Sequence, residues 1–153
     1  MARSPYAPPT ARISDPQEVR GPIPTSARRA AQFLWASFAL SLVLGALYLL
    51  GAVPSPNLTL DVATTFGTAA LIALIATKVG AGRKWARWLF VVIYVLGSAG
   101  FSVLFIVMPQ EFLSLPRLLQ LSGLVQIILQ TCALILMFTR ASRQWFKAPY
   151  AAA

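Results

Sequence analysis

At 153 residues, with 58% hydrophobic and only 11% charged side chains, the chain has more apolar surface than one soluble core of this size can hide. It has no histidine and a single cysteine, Cys132, which excludes disulfide frameworks, zinc sites and histidine-based acid–base catalysis within one chain. The formal charge of +9 sits in cations that flank apolar runs rather than line a polar face, so it points to topology and anionic-lipid contact and away from nucleic acid.

Residues 1–29 hold Pro5, Pro8, Pro9, Pro16, Pro22 and Pro24. That density forbids a continuous helix and leaves few apolar side chains to offset ordering entropy, so a disordered tail is expected. It is not read as a signal peptide, because the first apolar run begins only after Arg28-Arg29 and is longer than a cleavable core. That run, about 30–50, has no charge and supplies the roughly 20 residues that cross a hydrocarbon layer. Pro54 and Pro56 are expected to stop it. The second span, about 62–79, is the weakest, since Thr64, Thr65, Gly67 and Thr68 dilute its first half. Gly80-Ala81-Gly82 turns the chain into a third span, about 87–108, which ends before Pro109. A loop containing Phe112, Leu113 and Leu115 leads to the fourth span, about 118–139, and a basic, aromatic tail covers 140–153.

Orientation follows from counting cations. Five arginines precede the first span, Lys78, Arg83, Lys84 and Arg87 lie between spans two and three, and Arg140, Arg143 and Lys147 follow span four. The other two loops carry only Arg117, against Asp61 and Glu111. The positive-inside rule then places both termini in the cytoplasm. The expected class is an all-α, four-helix transmembrane bundle, N-in and C-in, with a disordered proline-rich tail.

Three groups of residues are candidates for more than span-forming. Arg83, Lys84, Trp85 and Trp88, and at the other end Arg140, Arg143, Trp145 and Lys147, pair cations with indoles in the manner of membrane-interface anchors. Phe138 and Phe146 extend the second cluster, which suggests an interfacial helix lying among headgroups. Ser37, Ser41 and Gly45 recur every four residues in span one, and Gly97, Gly100, Ser98 and Ser102 give a similar stripe in span three. Small-residue spacing of this kind lets backbones approach, so both stripes are expected at helix–helix contacts. Finally, Ser122, Gln126 and Gln130 form a polar stripe in span four that should avoid hydrocarbon. With the inferred orientation, Thr64, Thr68, Ser98, Ser102, Ser122 and Gln126 share the outer half, with Gln130 just below, as a possible uncharged groove. Asn57-Leu58-Thr59 matches a glycosylation triplet, a pattern too short to be specific.

All four acids lie outside the apolar runs, so ion-coupled transport through an intramembrane carboxylate has no residue to use. The four-span multidrug exporters carry a glutamate in their first helix; here Ser37 and Ser41 occupy that region. Serine and threonine hydroxyls have no base to activate them, so no enzyme is expected and no cofactor or metal site is assigned. The entry Ile23-Pro24-Thr25-Ser26-Ala27-Arg28-Arg29 before Leu34-Trp35-Ala36-Ser37, and the exit Met137-Phe138-Thr139-Arg140-Ala141-Ser142-Arg143-Gln144-Trp145-Phe146, resemble the small four-helix inner-membrane proteins of bacteria, a group without an assigned activity. That resemblance implies a bundle fold and the bacterial inner membrane, and brings no site residues. The expected function is an accessory or structural subunit that binds another membrane component; the alternative is a small facilitator or lipid-binding carrier. Expected partners are membrane lipids, another membrane protein or a second copy.

Overall fold

The computed structural model describes residues 21–147; the proline-rich segment expected to be disordered lies largely outside these, as does the end of the C-terminal tail. Six helices follow one another: α1 Thr25–Leu49, α2 Leu58–Gly80, α3 Lys84–Ile106, α4 Pro109–Ser114, α5 Arg117–Met137 and α6 Arg140–Lys147. α1, α2, α3 and α5 are long and apolar enough to cross a bilayer. They carry Leu96, Ile106, Ile128 and Ile135 on outward-facing surface, as a lipid-facing bundle does.

The helix ends explain where the spans and the helices differ. α1 starts five residues before the first apolar run, at Thr25, because Pro24 supplies the extended N-cap and Arg28 and Arg29, which precede the run, are good helix formers. Gly51, at φ 69°, ends α1 ahead of Pro54: Gly51 N–H reaches Tyr48 O and Ala52 N–H reaches Leu47 O. Gly82, at φ 73°, does the same for α2, with Arg83 N–H on Lys78 O. Both are left-handed caps that only glycine adopts cheaply. Asn57 caps α2, its side-chain oxygen accepting from Leu60 N–H at 3.3 Å, and this draws the helix start forward to Leu58. The loop between the third and fourth spans is itself ordered, with Pro109 in the first turn of α4 and Pro116 capping α5.

Side-chain pairs fix the packing. A Cβ on Gly45 would lie 2.9 Å from the Phe66 ring, so α1 and α2 touch where α1 has no side chain. Ser41 and Ser37 of α1 meet Gln126 and Gln130 of α5, in opposite order along the two helices, so α1 and α5 run antiparallel. Tyr94 bonds Thr131 at 2.8 Å, and Phe101 covers Gly123, which sets α3 antiparallel to α5. Around the bundle the order is therefore α2, α1, α5, α3, with α2 and α3 joined by the tight turn at Gly82.

An even number of long helices puts the start of α1, the end of α5 and the α2–α3 turn at one end, here called the terminal end, and α4 at the other, the distal end. The core is asymmetric between them. Its contiguous buried cluster, including Ala30 and Leu34 of α1, Ile72, Ile75 and Val79 of α2, Phe90 of α3, Met137 of α5 and Phe146 of α6, belongs to the terminal half, while Tyr48, Val53 and Phe112 are buried apart from it at the distal end. Toward the distal end Thr64, Gly67 and Thr68 of α2 and Gly97 and Gly100 of α3 are exposed, so α2 and α3 part company there. One half of the bundle is packed and the other is open.

Candidate binding site

The open half encloses a cavity of about 340 Å³. α1 supplies Leu40, Ser41 and Leu44 as its floor, α2 supplies Thr64, Thr65 and Thr68, and α3 supplies Phe101 and Leu104. Phe112 and Leu115 close it at the distal end, and Leu119, Ser122, Gly123 and Gln126 of α5 complete the wall. No charged side chain lines it. Thr64 and Thr68 are exposed, so the cavity opens to the surroundings beside α2.

Several of its polar groups are held by the chain itself. Gln126 Nε2 donates to Ser41 Oγ at 3.3 Å, and Ser41 Oγ donates onward to Ser37 O at 3.1 Å. Thr64 Oγ1 donates to the carbonyls of Leu60 and Asp61, and Ser122 Oγ to that of Leu119. These are the back-bonds that let hydroxyls sit in apolar helices. Gln126 Oε1 is different. It is buried and has no partner, and a buried acceptor left unmet costs about 1–3 kcal/mol.

Of the residues expected to share a groove, Thr64, Thr68, Ser122 and Gln126 do come together, with Thr65 and Ser41. Gln130 lies one turn deeper, donating to the fully buried Ser37 Oγ at 3.3 Å, and does not reach the cavity. Ser98 and Ser102 do not line it either; Ser98 back-bonds to Val95 O and Ser102 faces outward. The two small-residue stripes also part. Ser37, Ser41 and Gly45 are buried against α2 and α5, whereas a Cβ on Gly97 or Gly100 would meet nothing within 4 Å. Identical spacing thus has opposite surroundings, because α3 meets α5 through residues such as Tyr94 and Phe101 and not through Gly97 or Gly100.

The aromatic–basic clusters split in a similar way. Arg83, Lys84, Trp85 and Trp88 face outward at the terminal end, as do Arg140, Arg143 and Lys147. Trp145 does not. α6 folds back onto the start of α1, and Trp145 and Phe146 are buried there. The Trp145 indole donates to Gly21 O at 3.2 Å, and the fully buried Ser142 joins Ser26 at 2.7 Å and donates to Leu136 O at 2.9 Å. The helix is amphipathic toward the protein instead of the headgroups.

Two further residues matter that the spacing did not single out as sites. Arg87 lays its guanidinium over Phe138, Phe146 and Trp88, at 4.9, 5.3 and 5.7 Å from the ring centroids. Its buried Nε and Nη1 find rings in place of hydrogen-bond acceptors, an arrangement typically worth about 0.5–2 kcal/mol. Gln120 Nε2 donates to the carbonyls of Phe112 at 3.0 Å, Leu115 at 2.9 Å and Leu113 at 3.3 Å, and so ties α4 to α5. It holds Phe112 where its ring stacks edge-on with Phe101 and Phe105 and closes the cavity. A second groove of about 710 Å³ runs between α1 and α5 past Phe33, Leu129 and Cys132, with Arg29 and Gln32 as its polar members. Among the described residues no three histidine, cysteine, aspartate or glutamate side chains cluster as a metal site.

Gln120→Leu removes the side-chain bonds from α5 to the carbonyls of Phe112, Leu113 and Leu115. It should lower stability by roughly 1–2 kcal/mol, read as a lower unfolding midpoint in detergent. An unchanged midpoint would mean that Phe112 stacking alone holds α4.

No protein-family model matches the chain, and neither does any curated protein or solved structure.

Proposed function

We propose that the protein is a non-enzymatic subunit of the bacterial inner membrane that acts by binding another membrane component through the distal faces of α2 and α3. The observation that carries this is the open backbone at Gly67, Gly97 and Gly100, where an added Cβ would meet nothing within 4 Å. Lipid-facing positions gain nothing from glycine, whereas a docking transmembrane helix gains close backbone approach. Among the described residues every cation but Arg117 flanks the terminal end, which supports cytoplasmic termini and, with them, an outer-leaflet position for this face. The uncharged cavity beside the same face favours a second reading, a carrier or receptor for a small amphiphile, because its wall is mainly apolar and it opens beside Thr64 and Thr68.

Orientation is checked with Arg83→Cys in a Cys132→Ala background. A membrane-impermeant maleimide should label it only after the inner membrane is permeabilised, and labelling of intact spheroplasts would reverse the assignment.

Docking is checked with a photoreactive residue at position 100, compared with one at Ile128, an exposed α5 position. A discrete adduct formed in cells from position 100 and absent from position 128, and lost on Gly97→Leu, is the expected result. Lipid-only adducts at both positions would remove the subunit reading.

A further inference from the structure

We propose that the groove between α1 and α5 binds an anionic phospholipid of the leaflet at the terminal end, with one acyl chain in the groove and the phosphate against Arg29. The site is separate from the distal cavity and from the glycine face of α2 and α3. Residues 29, 32, 33 and 36 fall on one face of α1 and residues 129, 132 and 136 on one face of α5, and these two faces line the groove. Because α1 and α5 run antiparallel, Arg29 and Leu136 stand at the terminal end, and Ala36 and Leu129 lie deeper in the bundle. Arg29 to Ala36 spans about 10 Å of helix axis, which lies within one leaflet of a hydrocarbon core about 30 Å thick. A transmembrane helix would need a face that crosses both leaflets; a lipid tail needs only one.

Polarity along the groove has the same direction as a phospholipid. Arg29 and Gln32 lie at its mouth, while Phe33, Leu129 and Leu136 form partly buried walls below them. The small side chains of Ala36 and Cys132 leave the hollow between those walls. The sign of the headgroup follows from the charges around the mouth. Arg28, Arg29, Arg140 and Arg143 are all exposed at the terminal end. The acids among the described residues, Asp61 and Glu111, sit in the first turns of α2 and α4, at the distal end. Among the described residues, then, no carboxylate at the mouth neutralises Arg29 or receives the ammonium group of a zwitterionic head. A guanidinium fork matches two phosphate oxygens, and Gln32, three residues deeper, offers its amide N–H to an ester carbonyl.

The test uses the full-length purified chain in a non-ionic detergent, labelled with phosphatidylglycerol that carries a photoreactive group in one acyl chain. Unlabelled phosphatidylglycerol and phosphatidylcholine with the same acyl chains compete. Adducts should map to residues 29–36 and 129–136, and phosphatidylglycerol should compete about tenfold better than phosphatidylcholine. Arg29→Gln should bring the two competitors within about twofold of each other, whereas Arg28→Gln, exposed at the same end but outside the groove, should keep most of the preference. Ala36→Trp, at an exposed position, should fill the hollow and remove the mapped adducts while the unfolding midpoint stays unchanged. Equal competition by the two lipids, or equal effects of the two arginine variants, overturns the proposal in favour of general attraction to a basic surface. Adducts that survive Ala36→Trp, or that scatter over every exposed face, reduce the lipid to solvent and overturn the site. A photoreactive residue at position 36 that captures a protein in native membranes assigns the groove to a partner helix, and overturns it too.

Discussion

Close approach of α1 to two neighbours is the constraint on which the rest of the molecule depends. In lipid no hydrophobic force draws apolar helices together, so association rests on packing and interhelical hydrogen bonds. α1 meets that requirement with one stripe of small residues. Gly45 admits the Phe66 ring of α2, while Ser41 and Ser37 accept from Gln126 and Gln130 of α5. A large side chain at Gly45 would push against the Phe66 ring of α2, and one at Ser37 or Ser41 would displace the glutamines of α5. α3 has a weaker hold, through Tyr94–Thr131 and Phe101 over Gly123 on α5 and through the turn at Gly82 on α2.

This unequal packing divides the bundle in two. The terminal half is sealed by the core cluster, by α6 folded over the entry of α1, and by the Arg87 guanidinium among its three rings. The distal half lacks a comparable core and holds the cavity instead. Gln126 links the halves: its amide nitrogen is part of the α1–α5 contact, and the residue lies in the cavity wall. Gln120 contributes at the rim, where it holds α4 and with it the Phe112 ring that closes the cavity.

Hydrophobic run length alone makes four long apolar helices legible, because about 20 uncharged residues cannot be accommodated otherwise in so small a chain. Helix ends were less legible, since apolar runs mark the spans and not the caps: Pro24, Gly51 and Asn57 set boundaries that hydropathy does not see. Periodicity identified faces without identifying neighbours. It assigned the same packing role to Ser37–Gly45 and to Gly97–Ser102, and only the three-dimensional order of the helices separates them. The α6 aromatics illustrate the same limit, for an amphipathic helix with cations on one side suits a headgroup layer and a protein surface equally well until its partner is known. Gln120 offered no periodic signal; its position five residues past the end of a proline-bounded turn is visible in the sequence, but only the fold shows that the carbonyls of that turn point back at it.

The pairing of α1 with α5 is open to direct measurement. In a Cys132→Ala background, cysteines introduced together at Ser41 and Gln126 replace side chains whose polar atoms lie 3.3 Å apart, and mild oxidation in native membranes should join them within one chain. Cysteines at Ser41 and Gly97 should stay unlinked, because Gly97 faces open space. Efficient linkage of the second pair, or none in the first, would contradict a bundle organised around α1.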